Sequence, residues 1–342
     1  MKRVIDNTQG IGSIKTKEDV KRKVVLLGSF YGSYACSDGT WRILLDTYDE
    51  MITRDFLKVG SINRGGAAVD GRCGIVASAI AFLSYIGGRV TPDEDISRLE
   101  YWSKKVHEEF ARQLGYYSCG ELWPDVEEKI ERKELIRWTS CIICEGLPAI
   151  SDIVYDAYID LKSNKLNQTD EVCNVEDSEG FYPEKTEEEL VRIVLERSRE
   201  YKKLGFTCSE AALRALLEGF EIEWSDKEKQ IGSIYSRGSF IGDRCGILEV
   251  ALLIVSYKYG RNDCRRKHLE DRMLSRKLHQ RVDAELGSTF CGKLTGAEKD
   301  VEYTCLCMEK ILEICTRFIF HADQMVKDEL EAFIVETEGK LY

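Results

Sequence analysis

Six of the chain's thirteen cysteines fall into three pairs with one common spacing. Cys36 and Cys208 differ by 172 positions, as do Cys73 and Cys245, and Cys119 and Cys291. Their surroundings agree at the same offset. ACSDGTWRILL from Ala35 lies over TCSEAALRALL from Thr207, Gly60-Ser-Ile62 over Gly232-Ser-Ile234, and Ser103-Lys-Lys-Val-His107 over Ser275-Arg-Lys-Leu-His279. Arg72-Cys-Gly-Ile75 and Arg244-Cys-Gly-Ile247 each open an apolar run, and eight of eighteen positions are identical between 71–88 and 243–260. Thiolates at such positions suit two chemistries: ligation of soft metals or iron–sulfur clusters, and thiol–disulfide exchange.

Those cysteines need elements to carry them, and a repeated spacing is the first guide to architecture. The chain reads as a tandem duplication with a first repeat over 1–162, a linker over 163–185 and a second repeat over 186–342. The linker SNKLNQTDEVCNVEDSEGFYPEK is polar, acidic and aperiodic. Thr186-Glu-Glu-Glu189 offers a capping box for the helix that follows, and Thr16-Lys-Glu-Asp19 is its counterpart. Trp41, Leu44, Leu45 and Tyr48 keep helical spacing, as do Leu213, Leu216, Leu217 and Phe220. The run Ile75–Tyr85 is apolar almost all round, which predicts a central buried helix. Residues 94–114 and 266–286 read as charged amphipathic helices closed by Gly115 and Gly287. A last helix is expected over about 147–161 and 308–320. Strand-like alternation is scarce. The fold class is therefore all-α: two helical bundles of five or six helices related by a pseudo-twofold, as a self-paired single repeat would be after fusion.

In this layout every paired cysteine stands at the start of a helix, where free N–H groups and a partial positive charge favour thiolate. Arg72 and Arg244 precede the central cysteines and would add to that effect. Gly74 and Gly246 remove a side chain, letting backbone N–H groups approach a sulfur or a cluster sulfide. A fourth thiol per repeat comes from Cys141 or Cys144 in the first and Cys305 or Cys307 in the second, an indel leaving the choice open. Cys173, Cys264 and Cys315 have no matched partner and read as ordinary thiols. His107 and His279 are matched by the repeat; each is a candidate fourth ligand, a proton-coupled neighbour of the site, or an exposed or helix-packing residue. Tyr85 and Tyr257 read as core aromatics.

The second repeat resembles the C_GCAxxG_C_C family of redox-active proteins along Cys208-Ser-Glu-Ala-Ala-Leu-Arg214, Arg244-Cys-Gly246, Tyr259-Gly260, Gly287-Ser-Thr-Phe-Cys291 and Cys305 or Cys307. The first repeat follows the same order more loosely. A related module in split-Soret cytochromes implies a helical fold holding a cluster on four cysteines, of the [2Fe–2S] type, which would give two per chain. The family's Cys-Gly-Ala-x-x-Gly becomes Cys73-Gly-Ile-Val-Ala-Ser78 and Cys245-Gly-Ile-Leu-Glu-Val250 here, which puts any shared close helix packing or partner docking in question. No Cys-x-x-Cys-His occurs, so covalent c-type haem is not expected.

Composition narrows the function further. A net charge of −11, with 32% charged and 43% hydrophobic residues, is that of a globular protein without the basic surface that nucleic acid requires. No apolar run is long enough to span a bilayer, and the expected location is the cytoplasm. There, clustered cysteines bind metal or do redox chemistry more often than they form structural disulfides. The leading reading is an iron–sulfur redox protein with one cluster per repeat, acting in electron transfer or redox sensing with a redox partner protein, and a homodimer is a candidate assembly. The alternatives are a thiol–disulfide enzyme using bare low-pKa cysteines, and a zinc or soft-metal thiolate site. Whether the chain is an enzyme is left open.

Overall fold

The computed structural model of the chain describes residues 16–31, 34–50, 52–63, 67, 69, 71–116, 118–122, 132–164, 185–262, 270–295 and 308–329. The first repeat runs α1 (Lys17–Tyr31), α2 (Cys36–Thr47), a 3₁₀ segment (Phe56–Asn63), α3 (Gly74–Gly87), α4 (Ser97–Leu114), α5 (Cys119–Leu122) and α6 (Arg132–Ser163). The second runs α7 (Glu187–Lys203), α8 (Cys208–Gly219), α9 (Asp226–Lys229), a 3₁₀ segment (Gln230–Tyr235), α10 (Gly246–Tyr259), α11 (Glu270–Leu286), α12 (Cys291–Leu294) and α13 (Met308–Phe320). Among the described residues there is no strand, only two isolated bridges. No described helix is long and apolar enough to cross a membrane.

Local chemistry sets the helix ends. Thr186 accepts from the Glu189 N–H while the Glu189 carboxylate accepts from the Thr186 N–H, closing the expected capping box. Thr16 and Asp19 exchange the same two bonds at 3.2 Å. Gly115 and Gly287 sit at φ 76° and 73° and end α4 and α11, a conformation that side-chain-bearing residues avoid. One expectation is corrected. The last helix of the first repeat starts at Arg132, not Leu147, and continues past Pro148. Leu147, Ile150, Val154, Ala157 and Leu161 are all buried at helical spacing, so core burial holds the helix through the one backbone bond that proline cannot donate.

The two repeats share one continuous core. Central helices α3 and α10 are buried along almost their whole length. Each packs against the 3₁₀ segment of the opposite repeat. Along this seam, contacts recur with both partners shifted by 172 positions. The Ser84 hydroxyl donates to Gln230 O at 2.7 Å, and that of Ser256 to Lys58 O at 2.6 Å. The Arg89 N–H donates to Ser233 Oγ, and the Arg261 N–H to Ser61 Oγ. Arg89 pairs with Glu210 at 2.7 Å, Arg261 with Asp38 at 2.9 Å, and all four side chains are buried. The Ser103 hydroxyl reaches Ser239 O and that of Ser275 reaches Ala67 O. Both acceptor residues have left-handed backbone, φ 55° and 61°, a conformation that costs a side-chain-bearing residue roughly 1–2 kcal/mol. Reciprocal contacts of this kind are what a twofold interface requires.

Candidate redox site

The first cysteine site is assembled from three helix starts. Cys36 is the first residue of α2, Cys73 caps α3, and Cys119 is the first residue of α5. An isolated bridge between Arg72 and Ser118, with the Cys119 N–H donating to Gly71 O at 2.8 Å, ties the second and third starts together. The Cys73 thiol is hydrogen-bonded to Cys119. Cys36 Sγ lies 2.9 Å from where a Cβ on Gly74 would stand. All three thiols are buried.

The second site repeats the scaffold. Cys208 opens α8, Cys245 caps α10, and Cys291 opens α12. Arg244 bridges Phe290, the Cys291 N–H donates to Asp243 O, and the Cys245 N–H donates to Thr289 O, both at 2.8 Å. The Ser209 Cβ, next to Cys208, stands 3.0 Å from a Cβ position on Gly246. The two glycines stand where a side chain would not fit. A Cβ on Gly246 would lie 2.2 Å from Tyr235 O, and one on Gly74 would lie 2.9 Å from Asn63 O. Both glycines admit the end of the 3₁₀ segment, and Gly74 also lets the Cys36 sulfur approach.

Electrostatics at the first site also depart from expectation. The Cys73 thiol is pushed well above the ordinary 9.0, first by its hydrogen bond to Cys119, then by burial and by the charges of Cys119 and Cys36. Crowded thiols oppose one another's ionisation, and that outweighs the helix-start effect until a cation replaces the protons. Both arginines pair with carboxylates. Arg72 donates from Nε and Nη2 to Asp243 Oδ2, at 3.0 and 2.6 Å, across the repeat boundary. Arg244 pairs with Glu249 of its own repeat at 2.8 Å. The Asp243 carboxyl, despite burial, is held down to about 2 by the two guanidiniums.

His107 and His279 are buried, not surface residues. Nδ1 of each lies 2.7–2.8 Å from the carbonyl four residues earlier, Ser103 or Ser275. A carbonyl only accepts, so Nδ1 carries the proton and Nε2 the lone pair. Burial, with Arg72 or Arg244 nearby, lowers both pKa values to about 3. The charges that act on these rings belong to Arg72 and Asp243 for His107, and to Arg244 for His279. Tyr85 packs against Trp41 and Phe56, and Tyr257 against Trp224, as core aromatics.

Four candidate ligands need separate placement. Cys141 and Cys144 fall on the backbone of α6, not ahead of it, and their side chains lie outside the described residues. Cys305 and Cys307 lie outside the described residues altogether, as do Cys173 and Cys264. Among the described residues no three Cys, His, Asp or Glu side chains form a ready-made metal cage. What the scaffold does provide is soft thiols from separate helix starts, buried except at the half-buried Cys208, a donor type suited to iron–sulfur ligation. Sequence reasoning missed Asp243 and Glu249. Cys315, on α13, is fully buried, and Cys245 helps push its thiol up. Glu249 had a visible signal, a lone carboxylate inside an apolar run.

No curated protein and no solved structure matches the chain. A family model described as "Putative redox-active protein (C_GCAxxG_C_C)" matches residues 34–148 and again 206–328. The two matches each contain one complete three-cysteine scaffold and together span most of the chain, which is therefore a tandem-duplicated member of the C_GCAxxG_C_C family.

Proposed function

We propose that each repeat binds a cysteine-ligated iron–sulfur cluster and that the protein works in one-electron transfer or redox sensing. The supporting observation is the meeting of the Cys36, Cys73 and Cys119 helix starts, with Cys73 and Cys119 in hydrogen-bond contact. The holders would be Cys36, Cys73 and Cys119 with Cys141 or Cys144, and Cys208, Cys245 and Cys291 with Cys305 or Cys307. The cluster, of the [2Fe–2S] type by family resemblance, supplies reversible one-electron chemistry. The chain's own residues supply thiolates, a water-poor surrounding and charge compensation. A redox partner protein would deliver or remove the electron.

The thiol–disulfide reading is less well supported, because a thiol pushed up in pKa is a weak nucleophile near neutral pH. Zinc on the same thiolates remains the metal-site alternative. Anaerobic purification with iron, sulfide and zinc assays separates the three. Visible absorption with iron and sulfide in both repeats is the expected result. Colourless protein with stoichiometric zinc, or with only reactive thiols, would overturn it.

A further inference from the structure

The first site holds two thiols in direct contact. Cys73 and Cys119 are both in the thiol form and are joined by a side-chain hydrogen bond. Two backbone links keep them together: the Arg72–Ser118 bridge, and the Cys119 N–H donating to Gly71 O at 2.8 Å. Cys36 acts on Cys73 through charge, with its own sulfur against Gly74.

A hydrogen bond between sulfurs is a short step from a covalent one. Bonded sulfurs lie about 2.05 Å apart, so the pair must close by roughly 1.5 Å. Cys73 is held in place, because it caps α3, which is buried from Gly74 to Ile86. Cys119 has room to move. It opens α5, a single turn of four residues, with Gly120 directly behind it. One turn has almost no helical cooperativity of its own, and glycine lets the backbone adjust.

We propose that Cys73 and Cys119 of the metal-free chain are an oxidation site, which a small peroxide closes into a disulfide that takes two of the first site's thiols out of metal binding. The proposal goes beyond the iron–sulfur reading and does not depend on it, since any metal held by the first site would need the same thiols. Burial selects the oxidant. Cys73 is 1% exposed and Cys119 6%, which excludes a bulky organic disulfide and admits hydrogen peroxide at the more open Cys119.

The chemistry balances in two steps. The Cys119 sulfur takes one oxygen from peroxide and becomes a sulfenic acid, and the first water leaves. The Cys73 sulfur then attacks the Cys119 sulfur. The S–S bond forms, the S–O bond breaks, and the Cys73 proton departs with that oxygen as a second water. Two electrons have passed from the thiols to the peroxide, and no other reactant is required. Contact between the two sulfurs offsets the reluctance of the Cys73 thiol to ionise. One crosslink per chain is a lock and not a turnover, because a thiol reductant must reopen it.

The test is peptide mapping of the metal-free full chain after one equivalent of hydrogen peroxide, with remaining thiols alkylated in denaturant before digestion. The expected major product is a Cys73–Cys119 crosslinked peptide, from which dithiothreitol regenerates both thiols. Cys73→Ser and Cys119→Ser should each abolish it, and Cys36→Ser should keep it. The map of the unaltered chain carries the assignment if either serine variant fails to fold. Cobalt(II) bound beforehand should slow the crosslink at least tenfold, and an unchanged rate would overturn the competition between disulfide and metal. No crosslink, a crosslink through Cys36 or any other cysteine, or sulfinic acid in its place would overturn the oxidation site. A Cys73–Cys119 crosslink in a chain that takes up no iron and sulfide strikes only the iron–sulfur reading.

Discussion

The seam between the repeats and the cysteine sites treat the duplication in opposite ways. Along the seam, hydrogen bonds and ion pairs of one repeat are mirrored by the other: Arg89–Glu210 by Arg261–Asp38, and Ser84 by Ser256. At the cysteines the backbone scaffold is mirrored and the charges are not, because Asp243 and Glu249 face Gly71 and Ala77. A seam must remain self-complementary to stay packed, so a change on one side disrupts its partner surface. A site with a metal or redox task answers to its own chemistry and is free to diverge.

The sharpest way to break this comparison is at the buried ion pairs. Arg89→Ala leaves the Glu210 carboxylate, with no exposed side-chain surface, without its guanidinium. The expected loss is about 3–5 kcal/mol. Arg261→Ala should cost a similar amount, read from urea unfolding of the full chain. A loss confined to one of the two would end the claim of a symmetric seam.

Next in size is the glycine at the cysteine frame. Gly246→Ala drives a methyl group against the Tyr235 carbonyl, and about 3 kcal/mol of overpacking is expected. Gly74→Ala has more room, with its nearest atoms at 2.9 Å, and should lose less. Thermal denaturation ranks the two, and an equal loss would place the frames on the same footing.

The histidines give a smaller, pH-dependent effect. Both are neutral in the fold, with pKa lowered from 6.5 to about 3. Above 6.5 neither state binds the proton and stability is unaffected. As pH falls below 6.5 the unfolded chain takes up protons that the fold refuses, so stability declines until about pH 3. Near pH 5 the loss is roughly 2 kcal/mol for each histidine. His107→Asn and His279→Asn should each remove its share of that acid slope. A slope that persists in the double variant would assign the acid sensitivity to other groups.

Smallest are the seam hydroxyls. Ser256→Ala removes one hydrogen bond and should cost about 1 kcal/mol. Ser84→Ala should cost somewhat more, because its hydroxyl also accepts the Ile234 N–H at 3.1 Å. The difference between these two measures how far the seam departs from strict symmetry.

Much of the fold was legible before any coordinates. The Thr186 box, the Gly115 and Gly287 caps and the buried central helices depend on residues within a turn or two of one another, and local chemistry settles them. Helix α6 was underestimated because tertiary burial of Leu147 through Leu161 outweighs what Pro148 signals locally. The cysteine positions at helix starts were legible for the same local reason. The destination of Arg72 was not. Beside Cys73 in sequence, it spends its guanidinium on a carboxylate 171 positions away, and a long flexible side chain carries no mark of which neighbour it will reach.

By itself, the sequence determined the duplication, the helical class, the family and the thiols set at helix N-termini, all of which follow from spacing and short-range bonding. Tertiary structure alone decided that the repeats interlock through each other's 3₁₀ segments, that the histidines are buried and neutral, and which carboxylates the arginines pair with. Those outcomes depend on which surfaces meet once the chain is closed up. In a buried setting, the partner that compensates a charge is chosen by proximity in space, which order along the chain does not record.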